Sequence, residues 1–435
     1  MSGAAELEGL ITALLRGLPP EDGVVMGSTA AGRLWVAGLL GVAQGELLTA
    51  EGQPAAVVCG LGAQVVEAAA LGPALAVRTR LQASGRWPEI PTGSALLGRV
   101  IDPVGRPLDG RPPPEGPRRP WASRAPGAAE AGPRVDLPSG TLAIDHLAPL
   151  RRGRSAVILG ARGRGKSTMA MAAVRAQARH GGADAVIYAH IGNSAASLRN
   201  RQGILAQEGG PVAQIAALAG GPPALAEGAI LGALTVAASL AEANRHVLVV
   251  IDELPGGDSL SPGLLAAIRA AFARVQAHPL RSVSLLAVGE APGGDLAAPL
   301  PTELALLADR VLRVDEDGWQ AGARPALDLP AGAVLAPFLA TYGPRRLYRA
   351  ALSEDGPLHA ALHQGAGDCL GPEAWLLRCL AAGRFAGLDA ADAESLRRRL
   401  DAAAGPLSSE IAAVRAARGA DRGPALRRLQ ARLGR

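Results

Sequence analysis

Gly160, a gap of four residues, then Gly165, Lys166 and Ser167 give the spacing G-x-x-x-x-G-K-[ST]. One chemistry needs it: gripping a polyphosphate. Glycines let successive backbone N–H groups turn toward an anion, a lysine reaches the outer phosphate oxygens as a compact charge, and a hydroxyl ligates magnesium. The lysine is informative by itself, because among 44 basic residues it is the single lysine and all the others are arginine. A wide guanidinium fork does not fit the slot an ammonium fills. The candidate nucleotide-binding residues are therefore Gly160, Ala161, Arg162, Gly163, Arg164, Gly165, Lys166, Ser167 and Thr168.

A metal at this loop needs a second support. The run VLVVIDEL, residues 247–254, reads as a buried strand ending in acid, which would place Asp252 where its carboxylate holds magnesium through water. Ser167 and Asp252 are the candidate metal residues. Hydrolysis would further require a group that orients or deprotonates water. Two positions are candidates: Glu253, beside Asp252, and Asn193, which ends the stretch AHIGN and as an amide accepts no proton at neutral pH.

These residues need a strand, a loop and a helix in order. Residues 155–159, SAVIL, are a short apolar run, and Thr168 to Ala178 place Met169, Ala172 and Ala173 on one helical face. The helix start then adds its positive end to the phosphate site. Further apolar runs at 185–189, 212–218, 246–251, 283–288 and 310–314, with a helix over 223–243, have the rhythm of parallel strands joined by crossover helices. Upstream, short apolar segments between Gly-rich turns from Gly23 to Gly93 suggest a compact β-barrel or sandwich. Leu7, Leu10, Ile11, Leu14, Leu15 and Leu18 form one stripe of an amphipathic helix that Pro19 and Pro20 end. Residues 111–138, crowded with proline, glycine and arginine, read as a surface connection, and the chain beyond Ala350 has helical periodicity.

Composition narrows the classes. With 435 residues, of which 49% are hydrophobic, the chain holds several domains with a large core. The apolar stretch Ala229 to Ala241 is too short to span a bilayer, and the acidic N-terminal residues are unlike a signal peptide. Three scattered cysteines make neither a disulfide framework nor a zinc site, which fits a reducing cytoplasm. The net charge is +5, but the C-terminal arginines interleave with leucines at helical spacing, as on a solvated face. Aromatics are 3%, too sparse for base stacking, so no nucleic-acid partner is expected.

At several places the chain resembles the rotary ATPases, and within them the alpha subunits of F-type ATP synthases. GSALLGRVIDPVGRPLDG (93–110), the segment 137–168 through the phosphate loop, IYAHIGNSAAS (187–197), VLVVIDEL, PLPTELALLADRVLRVDEDG (299–318), GARPALDL (322–329) and LLRCLAAGRFAGLDAADAESLRRRLDA (376–402) match in order. The resemblance implies a multidomain α/β protein. Its parts would be an N-terminal amphipathic helix (1–22), a β-barrel (23–93), a RecA-like P-loop domain with a mostly parallel sheet (94–350) and a C-terminal helical bundle (351–435). It implies Mg2+ and ATP or ADP as ligands. The implied partners are catalytic beta subunits in an alternating hexamer, a central-stalk subunit, and a peripheral-stalk subunit met through the N-terminal helix. It further implies ion transport by a peripheral complex on the cytoplasmic face of a bacterial inner membrane, with the membrane met only through that complex.

Within that family the residue after the strand-end glycine is Glu in catalytic subunits and Gln in alpha subunits. Asn193 and Arg164, the latter where catalytic loops carry valine, place the resemblance on the non-catalytic side. One departure stands out. Where alpha subunits carry S-V-S-R, whose arginine reaches the neighbouring catalytic site, this chain has LPAGAVLAPF (329–338), with Leu335 in the arginine's place. Arg345 and Arg346 lie further on, and replacement by either stays open. Two other readings also stay open: a degenerate pseudo-ATPase with an assembly or regulatory role, and a self-sufficient export-type hexamer using Glu253.

Overall fold

The computed structural model describes residues 18–314 and 327–328, apart from 30–31, 63–64, 74, 122–134, 142–143, 146–147 and 255–261. The expected N-terminal helix, the C-terminal helical bundle, and the stretch holding Leu335, Arg345 and Arg346 lie outside the described residues.

Six antiparallel strands close a barrel: β1 (Asp22–Ser28), β2 (Arg33–Gly38), β3 (Leu47–Ala50), β4 (Gln53–Leu61), β5 (Val65–Ala70) and β6 (Arg80–Ala83), in the order β1-β2-β5-β4-β3-β6. Period-two alternation decides what faces inward. In β2, Leu34 and Val36 are buried while Arg33 and Trp35 are exposed. The interior is filled by Val25, Leu34, Val36, Leu48, Val58, Val66 and Leu81.

The segment read as a plain surface connection does more than connect. β7 (Glu89–Pro91) pairs with β9 (Arg118–Pro120), and between them in sequence lies β8 (Val100–Ile101). Trp121 follows β9 and is buried, its indole Nε1 donating to the Pro103 carbonyl at 2.9 Å. A helix glycine makes this possible: a Cβ on Gly228 would stand 2.3 Å from the indole ring. Proline and glycine density hid an anchor whose partners lie far along the chain.

A ribbon of β10 (Asp136–Leu137) and β11 (Leu150–Arg151) leads into a nine-stranded sheet. Its members are β8, β12 (Ser155–Gly160), β13 (Ala185–Asn193), β14 (Val212–Leu218), β15 (His246–Leu254), β16 (Gln276–Ala277), β17 (Ser282–Glu290), β18 (Arg310–Val314) and β19 (Leu327–Asp328). The order is β19-β18-β12-β17-β15-β13-β14-β8, with β16 antiparallel on β17 and β19 antiparallel on β18; the remaining neighbours are parallel. The helices are α1 (Lys166–His180), α2 (Ala195–Glu208), α3 (Pro223–Glu242), α4 (Pro262–Ala273) and α5 (Pro299–Leu307).

The central strands β12, β13, β15 and β17 are largely apolar on both faces, as a covered parallel sheet requires. Val157, Leu159, Ile187, Val249 and Leu285 pack on the side of α3, α4 and α5. Ile158, Val186, Tyr188, Leu248 and Val250 pack on the other side with Met169 and Val174 of α1. Residues 224–242 of α3 are long and apolar enough to cross a membrane, but 72% of that window is buried in the fold, where α3 packs against β13, β14 and β15. Strand parity has a consequence for polar residues. Tyr188, His190, Gln214 and Asp252 alternate with residues of the α3-side core, so all four belong to the α1 side of the sheet.

Candidate functional site

β12 ends at Gly160, where a Cβ would lie 2.7 Å from the Val314 side chain of β18, so only glycine lets the two strand ends approach. The loop turns through Gly163 (φ 78°) and Gly165 (φ 76°), left-handed conformations that glycine adopts without strain. Gly165 is the N-cap of α1, and no side chain caps that terminus. Its N–H groups and the helix dipole thus form an anion-binding end. Arg162 and Thr168 are exposed, and Arg164 is half-buried.

Lys166 is 2% exposed and reaches back over the loop. Its Nζ donates to the Ala161 carbonyl at 2.7 Å and lies 2.7 Å from Glu253 Oε1, in an ion-pair contact without hydrogen-bond alignment. Ser167, one residue on, donates its hydroxyl to Asp252 Oδ1 at 2.7 Å. The two halves of the sequence pattern, 85 residues apart, therefore meet as their residue types demand. Asn193 ends β13 and donates from Nδ2 to the Asp252 backbone carbonyl at 3.2 Å. Lys166, Ser167, Asn193, Asp252 and Glu253 converge at the C-terminal ends of the parallel strands, where α/β sheets offer their crevice.

A hydroxyl aimed at a carboxylate suits a magnesium ion, which takes one or two protein oxygens and keeps water and phosphate for its other ligands. Ser167 and Asp252 fit that role by donor set and placement.

Asp252 has further partners that the sequence did not announce. It is fully buried, and its Oδ2 accepts from Tyr188 OH at 2.7 Å and from the Arg201 guanidinium of α2. Arg201 Nη1 also lies 3.2 Å from Tyr188 OH. Burial, with the Asp252 charge adding to it, pushes the Tyr188 phenol well above its usual range, so it remains a donor. Behind Tyr188, the His190 ring stacks at 4.3 Å between centroids and shares a 3.0 Å hydrogen bond between Nε2 and Gln214 Oε1. Because an amide oxygen only accepts, Nε2 carries the proton. Burial lowers the His190 pKa to about 4, and the nearby Arg201 charge works in the same direction. No spacing rule marks Arg201, one of two arginines on α2; a polar residue inside the apolar run of β13 was the only available signal for His190.

Comparison with known proteins agrees with this geometry. Residues 140–257 match the family described as "ATP synthase alpha/beta family, nucleotide-binding domain". The chain is 30% identical to "ATP synthase subunit alpha 2" of Burkholderia pseudomallei (strain 1710b) over 330 residues, which cover 69% of this chain and 49% of the relative. It is 30% identical to the protein of the same name from Cereibacter sphaeroides (strain ATCC 17029) over 362 residues, 76% of this chain and 72% of the relative. The chain spans about half the length of the Burkholderia relatives it matches.

Proposed function

The chain belongs to the ATP synthase alpha/beta family, and on that premise we propose that it is an alpha-type subunit that binds nucleotide without hydrolysing it. Gly160 to Thr168 would hold the phosphates of ATP or ADP, Lys166 neutralising the outer ones, with Mg2+ on Ser167 and Asp252 behind it. In this reading the chain sits beside catalytic beta subunits in an alternating ring, contacting a central stalk and, through residues 1–22, a peripheral stalk; membership of the family supports a complex with such subunits. The complex would lie peripherally on the cytoplasmic face of the inner membrane. The domain limits at 22, 93 and 350 belong to the same proposal.

One observation carries the non-catalytic half. The two positions from which a base could act are an amide, Asn193, bound to a backbone carbonyl, and an acid, Glu253, paired with Lys166. An amide cannot take the proton, and Asn193 stands where catalytic subunits of the family carry Glu. The amide at 193 likewise weighs against an export-type ATPase acting through Glu253. A scaffold with no nucleotide is disfavoured by the assembled loop, although Leu335 in the arginine's place favours little influence on a neighbour's catalysis.

The test is titration of the purified chain with a fluorescent ATP analogue, alongside a phosphate-release assay. Saturable binding without release is expected. Turnover by the chain alone overturns the non-catalytic assignment, and absence of binding overturns the nucleotide assignment.

A further inference from the structure

The carboxylate that should face the metal is already neutralised. Asp252 is completely buried, and its Oδ2 is taken by both the Tyr188 hydroxyl and the Arg201 guanidinium. A guanidinium never deprotonates in a protein, and the Arg201 side chain is only 17% exposed, so solvent screens this pair weakly. Oδ1 keeps one lone pair beside the Ser167 contact, enough to accept from a metal-bound water but without a net charge behind it.

The second acid is neutralised likewise. Glu253 faces Lys166, and Arg162 and Arg164 stand in the loop itself. Counting these three cations and Arg201 against Asp252, Glu253 and Glu290, whose Cα lies opposite that of Gly160, the residues around the loop carry one net positive charge. A divalent cation normally bridges an anionic protein group and an anionic polyphosphate; here the carboxylate and its guanidinium partner together carry no net charge.

Resting on the nucleotide-binding reading above, the geometry points to Arg201 as a built-in substitute for the metal's charge: the phosphate loop takes a nucleoside polyphosphate nearly as well without a divalent cation as with one. Arg201 is a positioning residue acting through Asp252. Its removal uncovers the Asp252 charge, which then repels bare phosphate and attracts magnesium.

The experiment measures the dissociation constant of a fluorescent ATP analogue on the full chain, by anisotropy, in excess EDTA and in excess magnesium chloride. For the unaltered chain the two values are expected to agree within about 3-fold. Arg201→Gln is expected to widen the ratio about tenfold, the coupling between two ligands that a single charge supplies, while Arg201→Lys keeps it narrow. Circular dichroism reports whether each variant is folded. If Arg201→Gln fails to fold, the unaltered chain and Arg201→Lys still decide the matter. A ratio of about tenfold or more in the unaltered chain sinks the inference and leaves nucleotide binding standing, as does a folded Arg201→Gln with an unchanged ratio. Absence of binding in both buffers removes the nucleotide reading, and this one with it.

Discussion

In the barrel, buried acids serve local shape. Glu46 accepts from the backbone N–H groups of Ala43 and Gly85 at 2.9 and 2.7 Å, and Asp22 accepts from Gln82 at 3.1 Å. In the parallel sheet, buried polar side chains form a file on one face instead, from Gln214 through His190 and Tyr188 to Asp252, and the file ends beside the phosphate loop. Glu46 satisfies backbone that would otherwise be orphaned and Asp22 holds a single cross-strand amide, whereas the file links side chain to side chain over several residues. The same expense of burying a polar group therefore serves shape in one region and a site in the other.

If that division holds, damage to each region should stay there. Leu48→Ala empties a fully buried barrel position and is expected to destabilise the chain by about 3 kcal/mol, within the usual range for such truncations. The affinity of the folded fraction for nucleotide should not change. Chemical denaturation and anisotropy together check this, and a weakened dissociation constant would break the separation. Lys166→Ala is the converse. It removes charge-assisted contacts to phosphate and is expected to weaken nucleotide binding about 100-fold, with a thermal midpoint within a few degrees of the parent.

The file also has a signature in pH. His190 is held neutral with its pKa near 4, against about 6.5 when unfolded, so between those values the unfolded chain binds the extra proton. Stability should fall as pH drops from 6.5 toward 4, by about 2 kcal/mol at pH 5 from this group. Asp145 works the other way: burial raises its pKa to about 6, so its contribution favours the folded state as pH falls from 6. The double variant His190→Phe with Gln214→Leu removes the histidine without orphaning its amide partner and leaves Asp145 in place. Its stability between pH 7 and pH 5 should drop about 2 kcal/mol less than the parent's, measured by urea midpoints at each pH. An equal drop would mean that the file does not exclude the proton.

How far the sequence could be read follows the same division. Lys166, Ser167 and Asp252 were legible because loop chemistry fixes residue type and spacing within nine residues, and because an apolar run ending in acid is local. Barrel strands β1, β2, β4 and β5 and the parallel strands other than β8 were legible from apolar runs, whereas β3 and β6, which complete the barrel, were not. Trp121 was lost among prolines because its burial depends on Gly228, more than a hundred residues away. Arg201 was lost for a similar reason: its partner lies 51 residues downstream on another element, and an arginine on a polar helix looks solvated until the tertiary fold is known. Tyr188 sat in view inside an apolar run, yet its hydroxyl acquires a role only when strand parity sets it beside Asp252.

Glu253 sharpens the comparison most finely, since it sits at the edge of the file and is the acid that solvent still reaches. It holds Lys166 in the position an incoming phosphate must claim, so binding has to exchange one anion for another at the same ammonium. Glu253→Gln keeps the shape and deletes the competing charge. Because the Glu253 side chain is 27% exposed, screening limits the gain, and affinity for a fluorescent ATP analogue is expected to rise about 3- to 5-fold, close to 1 kcal/mol. An unchanged or weaker affinity would mean that the ion pair orients Lys166 for phosphate and does not occupy it. Glu253 would then act like the barrel's Glu46, a buried-edge acid kept for geometry, and the boundary between the two kinds of polar burial would run through the site itself.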